Sequence, residues 1–338
     1  MIRSHRSTVS LRIILILLVC APVVVGAQVV TLRFAANVPA NSPWDLGLRK
    51  LAAEWSSISG GRVRLTFPQS IRNASEEDIL QKMHFSIDGA ILTATGLATI
   101  YPDSLVLSMP SVIKNEKEFD AVLAAFVPLI RSRIADRFEL VTMNKAGWIR
   151  FFSNQPIQKP ADIRKLRIAV GADQEKIARI FKSEGVRTVS ADLGSIVLLL
   201  NSNGLDAFYT SPIFVATLWS QFRKTISDAS SFHVAPFFGV VLFSRESWSR
   251  VPDDLKPALI AAAEKMGAQI SADTDRLETE ALGSMTRDGL RVAPLSPDDE
   301  NAWRVLYAQE RKDLLPELFS QEVLNHLDKA LGTVRTKP

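Results

Sequence analysis

The side chains able to do acid–base, nucleophilic or metal chemistry are scattered along this chain. His84, His233 and His326 lie far apart, and no pair of them has metal-site spacing. The single cysteine, Cys20, falls within the first 27 residues; if these are removed, thiol catalysis, disulfides and cysteine metal sites go together. There is no glycine loop suited to phosphate, no nucleophile elbow and no metalloprotease helix. Asp299-Glu300 reads as a solvated helix start, and the formal sequon Asn73-Ala74-Ser75 as a turn. An enzyme reading, a hydrolase on an α/β scaffold, would have to turn on Ser195 or Asp206. Binding chemistry is better supplied. Asn37 ends a strand with an amide that can donate to and accept from a ligand, or cap the loop that follows.

The first 27 residues have the pattern of a removable secretory signal. Arg3, Arg6 and Arg12 form a basic start, 13–25 is apolar, and Val25-Gly26-Ala27 is a small-residue cleavage site. The apolar run is shorter than the roughly 20 residues of a spanning helix. Lipoprotein anchoring through Cys20 is the alternative, and Val19 before it fits that poorly. Three of the four net positive charges of this +4 chain belong to those arginines. The basic balance is therefore no nucleic-acid footprint. The remainder, in a chain of 338 residues that is 47% hydrophobic, is long enough for two compact lobes.

Strand and helix patterns alternate, which predicts an α/β fold. A strand at 29–35 leads to Ser42-Pro43, a helix start that runs to about residue 58 and stops at Gly60-Gly61. Strands follow at 62–67, 89–92 and 139–143, with helices from 75 and over 116–134. From Gly147 a second block places strands at 148–152, 166–170, 186–190 and 205–209 between helices at 173–183, 192–201 and 212–222. Residues 234–243 return as a long strand. The stripe Leu255, Leu259, Ala263, Met266, Ile270, Leu277, Ala281 and Met285 predicts a helix over 253–288. At 1.5 Å per residue it would be on the order of 50 Å long, enough to cross both lobes, although Gly267 and Gly283 weaken it.

Several short segments, in order and at matching distances, resemble one family. They are Leu32-Arg33-Phe34-Ala35-Ala36-Asn37 with Ser42-Pro43, Ser59-Gly60-Gly61-Arg62-Val63, Ser86-Ile87-Asp88 and Leu107-Ser108-Met109-Pro110. Further along come Pro160-Ala161-Asp162-Ile163 with Leu166-Arg167-Ile168, and Asn203-Gly204-Leu205-Asp206-Ala207. Over residues 30–325 the chain resembles the dicarboxylate-type, DctP-like, solute-binding subunit of tripartite ATP-independent periplasmic (TRAP) transporters. The resemblance implies a two-lobed periplasmic binding protein fold with hinge strands near 147–152 and 234–243 and a long lobe-spanning helix. The expected boundaries are a signal peptide at 1–27, one lobe from 28–148 plus 236–270, and a second from 149–235 plus 271–338 with the C-terminal helices. It implies capture of a small molecule in an interlobe cleft at strand C-terminal ends, and delivery to membrane permease subunits; a periplasmic accessory protein is an alternative partner. No cofactor, metal or nucleic acid is implied.

The departure from the family lies in Leu166-Arg167-Ile168-Ala169-Val170-Gly171. The family's ligand-gripping arginine would sit at Ala169, and a methyl group cannot hold an anion. Arg167, two residues away, and Arg150, one residue off a second basic family position that falls on Ile149, are the substitutes an organic-acid binder would use. Thr93 stands at an expected polar contact, and Thr210 or Ser211 at an expected amide. With Asn37, the predicted wall is Trp44, Thr93, Trp148, Ile149, Ala169, Leu193, Tyr209, Thr210 and Phe237. Polar grips give way there to alanine, isoleucine, threonine and leucine, so the expected ligand is hydrophobic or amphipathic.

Overall fold

The computed structural model describes residues 29–335 apart from 39, 72, 73, 111, 172, 173 and 192, and without the side chains of Ser70 and Leu193. The expected signal peptide, Cys20 and the turn at Asn73 lie outside the described residues.

In chain order the first elements are β1 (Val30–Ala35), α1 (Pro43–Ile58), β2 (Val63–Thr66), α2 (Glu76–Lys82), β3 (Gly89–Thr93), α3 (Ala94–Ile100), α4 (Glu116–Ile134) and β4 (Phe138–Ser153). Next come α5 (Pro160–Ile163), β5 (Arg167–Val170), α6 (Glu175–Ser183), β6 (Arg187–Ser190), α7 (Leu193–Asn201), β7 (Ala207–Thr210), α8 (Pro212–Thr217) and α9 (Trp219–Phe222). The chain closes with β8 (Asp228–Ala229), β9 (Ala235–Ser244), α10 (Arg245–Ser249), α11 (Lys256–Arg287), α12 (Pro297–Asp313), α13 (Leu315–Leu318) and α14 (Gln321–Gly332). Local chemistry sets the starts. Ser42 accepts from Asp45 N at 3.2 Å with Pro43 in the first turn of α1, and Ser75 and Asp78 form a reciprocal capping box on α2.

Among the described residues nine strands form one sheet in the order β2-β1-β3-β9-β4-β7-β5-β6, with β8 on β4. Strands β1, β2 and β3 run parallel, as do β5, β6 and β7, so each half is a parallel α/β unit. Between them β9 and β4 lie antiparallel. Residues 138–149 of β4 pair with β9, and 150–153 pair with β7. The chain thus crosses between the halves within single strands. Both faces of each half are covered, as buried parallel strands require. Phe119, Phe126 and Val240 pack on one face of the first half, and Trp55, Phe243 and Trp248 on the other. Phe152, Phe208 and Phe222 lie on one face of the second half, and Phe151, Ile168 and Trp303 on the other. Helix α11 is unbroken for 32 residues, about 48 Å. It joins the first half through Leu259 and Ala263 and the second through Met285. The helix runs unbroken through buried Gly267, where β4 comes close: a Cβ there would lie 1.9 Å from Asn144 Nδ2.

Two stretches differ from the sequence reading. Lys145-Ala146-Gly147, read as a break between two strands, is a bulge inside one 16-residue strand. Gly147 has φ +108°, and a Cβ on it would come within 2.2 Å of Glu278 Oε1 on α11. That oxygen accepts the Trp148 N–H at 2.7 Å. The helix expected over 212–222 divides at Leu218, which leaves the helical region.

Two of the family-like acids prove to be staples. Buried Asp88 accepts from Arg33 N at 2.6 Å and Ser247 Oγ at 2.8 Å, and pairs with Arg250. Asp206 receives Arg167 in a two-pronged pair at 2.7 Å and 2.7 Å. This pair, helped by the Arg167 N–H and Asn154, holds the Asp206 carboxyl down at about 2 against the pull of burial.

Candidate functional site

The C-terminal ends of β1 and β3 face those of β5 and β7 across a cavity of about 1060 Å³. This is where open α/β sheets place ligands. The first half contributes Asn37 and Trp44 after β1, Glu76 and Glu77 at the start of α2, and Thr93 and Thr95 at the β3–α3 junction. The second half contributes Ile149, Ala169, Gln174, Tyr209, Thr210 and Phe214. Phe237 and Phe238 of β9 join them, and Ile270, Thr274 and Leu277 of α11 also line the cavity. Among the described residues that line the cavity there is no lysine, arginine or histidine; the charged ones are Glu76 and Glu77.

Several polar groups of the wall are engaged by neighbouring groups. Asn37 Nδ2 donates to the Ala74 carbonyl at 3.0 Å, tying the loop after β1 to the start of α2. Thr93 caps α3, accepting from Thr95 N at 3.3 Å, and its hydroxyl donates to Glu76 Oε2 at 2.9 Å. Tyr209 Oη donates to Gln174 Oε1 at 2.6 Å, and Gln174 Nε2 donates across the cavity to Thr95 Oγ1 at 3.0 Å. Gln174 thus clasps the two halves, with its amide orientation fixed by a donor on one side and an acceptor on the other. Replacing Gln174 by alanine is expected to loosen the closed arrangement by about 1 kcal/mol, a roughly fivefold shift toward separated halves. Small-angle scattering of the unliganded protein would read this as a larger radius of gyration; an unchanged curve would count against the clasp.

Of the residues expected to face a ligand, Asn37, Trp44, Thr93, Ile149, Ala169, Tyr209, Thr210 and Phe237 line the cavity. The side chain of Leu193 lies outside the described residues. Trp148 does not line the cavity. It is 2% exposed and packs in the core of the first half, because neighbours on a strand point to opposite faces and Ile149 takes the cavity side. Its ring stacks on His233 at 4.5 Å and 7°. Burial, then Arg150, pushes the His233 imidazole down to about 4, so it is neutral at ordinary pH. Neither substitute arginine lines the cavity. Arg150 donates to the carbonyls of Ser230 and Ser231 at 2.9 Å and 2.6 Å and lies 3.0 Å from His233 Nε2. Arg167 is held by Asp206 and by the Asn203 carbonyl. In this arrangement both arginines are engaged away from the residues that line the cavity.

Glu76, Thr95, Gln174, Phe214 and the α11 residues were not anticipated. Ile270 and Leu277 were visible in the apolar stripe, but a stripe does not say whether it covers core or cavity. Glu76 had the signal of a first-turn acid, which helix chemistry alone explains.

No curated protein matches the chain significantly. Solved structures do. A TRAP periplasmic solute-binding protein from Desulfovibrio salexigens with bound orotic acid superposes with a TM-score of 0.81 at 17% identity, over 90% of this chain and 100% of that one. One from Ralstonia eutropha H16 with bound (S)-2-acetolactate gives 0.81 at 14% identity, over 90% and 99%. The Bordetella pertussis receptor DctP7, which binds pyroglutamic acid, gives 0.79 at 16% identity, over 89% and 99%. At these identities the likeness concerns the fold: two lobes, mixed α/β. The model of the DctP family, bacterial extracellular solute-binding protein family 7, matches residues 34–315. The match spans most of the chain, and the chain belongs to that family, the solute receptors of TRAP transport.

Proposed function

We propose that this receptor captures an uncharged, largely apolar or amphipathic small molecule in the interlobe cavity and hands it to a TRAP permease. The observation that carries this reading is the wall itself: aromatic and aliphatic side chains, hydroxyls and amides, and no cation among its described residues. Each CH₂ removed from water against such a wall is worth about 0.8 kcal/mol. A carboxylate desolvated there without a partner would lose several kcal/mol. The relatives named above hold orotate, acetolactate or pyroglutamate, all small acids. This chain, with alanine at 169 and its neighbouring arginines engaged elsewhere, suits a different cargo. In the same reading residues 1–27 are a secretory signal, and the lobes divide at 28–148 plus 236–270 and 149–235 plus 271–338.

Mass spectrometry of what leaves the purified receptor on denaturation tests the proposal. The expected finding is an uncharged amphipathic compound near one per chain. A small diacid at that stoichiometry, bound again tightly in calorimetry, would sink it.

A further inference from the structure

We propose that Glu76 is the specificity-determining residue that keeps anions out of this cavity; the inference rests on the reading of the cavity as a site for uncharged ligands. Glu76 is the first residue of α2, and its side chain leans across to the β3–α3 junction. There Oε1 accepts the Thr93 N–H at 2.6 Å, and Oε2 accepts the Thr93 hydroxyl at 2.9 Å and the Gly96 N–H at 2.7 Å. The protein's own carboxylate is therefore bound by donors at the cavity wall, in the way a ligand carboxylate would be bound.

The position is built for this carboxylate. A Cβ on Gly96 would lie 2.6 Å from Glu76 Oε2, so a larger residue there would push the acid out of its seat. The Ser75 cap and its partner Asp78 fix the turn that carries Glu76. Two consequences follow for an incoming anion. The donors of Thr93 and Gly96 are already occupied, and the carboxylate that occupies them lines the wall with Glu77 beside it. An uncharged ligand meets neither obstacle. Exclusion of acids is thus written twice: by alanine where a cation would attract them, and by a glutamate that fills the donors they would seek.

The test uses two fluorescent probes that share an anilinonaphthalene body, neutral N-phenyl-1-naphthylamine and anionic 8-anilinonaphthalene-1-sulfonate. They are titrated against the full receptor and against Glu76→Gln, which keeps the shape and loses the charge; thermal melting of each protein monitors the fold. The expected result is that the receptor binds the neutral probe at least tenfold more tightly than the anion. In Glu76→Gln the anion tightens tenfold or more while the neutral probe stays within twofold. If both probes bind and their affinity ratio is the same in the two proteins, Glu76 is a structural staple only and the proposal is overturned, with the apolar reading of the cavity intact. If the neutral probe fails to bind the unaltered receptor, that reading fails, and this inference with it.

Discussion

Replacing Gly147 by alanine is expected to destabilise the protein by about 3 kcal/mol. Two effects combine. The backbone at φ +108° is a conformation that an L side chain rarely adopts, and holding one there costs about 1–3 kcal/mol. The new Cβ would also stand 2.2 Å from Glu278 Oε1 and displace it from the Trp148 N–H, which the bulge has taken off the β9 ladder. A buried N–H without a partner adds about 1–3 kcal/mol. Urea denaturation would read the change as a lower midpoint with an unchanged slope. A midpoint equal to that of the unaltered protein would show that the bulge can relax around a methyl group.

The second large effect comes from the other member of that contact and has the opposite sign. Glu278 is 6% exposed, and burial raises its carboxyl to about 7; Asp275 and Glu116 push the same way, while the Trp148 N–H and Arg150 pull it back. Between the ordinary carboxyl value of 4.5 and about 7 the folded chain binds more protons at this site than the unfolded chain does. Stability from this group therefore falls as pH rises through that window, by up to about 3 kcal/mol. Glu278→Gln keeps an acceptor for Trp148 and carries no charge. It should match the unaltered protein near pH 4 and exceed it by about 3 kcal/mol at pH 8. Denaturation at pH 4, 6 and 8 measures the difference; a constant gap between the two proteins would refute the assignment.

These two residues also show where sequence reading stopped. Lys145-Ala146-Gly147 looks like a loop because a polar residue and a glycine interrupt the apolar alternation. Only the partner strand and the helix behind it reveal a bulge inside a continuous β4. Helix α3, Ala94–Ile100, was missed because Thr95, Gly96, Thr99 and Ile100 are poor helix formers, and the segment is carried by its Thr93 cap and its packing. By contrast, the Ser42-Pro43 start, the buried run of β9 and the α11 stripe follow from rules that act within a few residues, and all were legible. The cavity wall was legible where a position counts from a strand, as with Ile149 and Ala169. It was not legible where two distant segments meet. Glu76 reaches Thr93, and Gln174 reaches Thr95 and Tyr209, and nothing in the spacing of these residues announces either contact. Trp148 and Ile149, adjacent on β4, take opposite faces, and only the packing shows that the tryptophan takes the core side.

The chain passes from one half to the other inside β4, returns through β9 and then straddles both with α11. Neither half is a cassette that can be cut out and exchanged for one from another receptor. A change of cavity wall has to come from substitutions on a frame whose backbone both halves share.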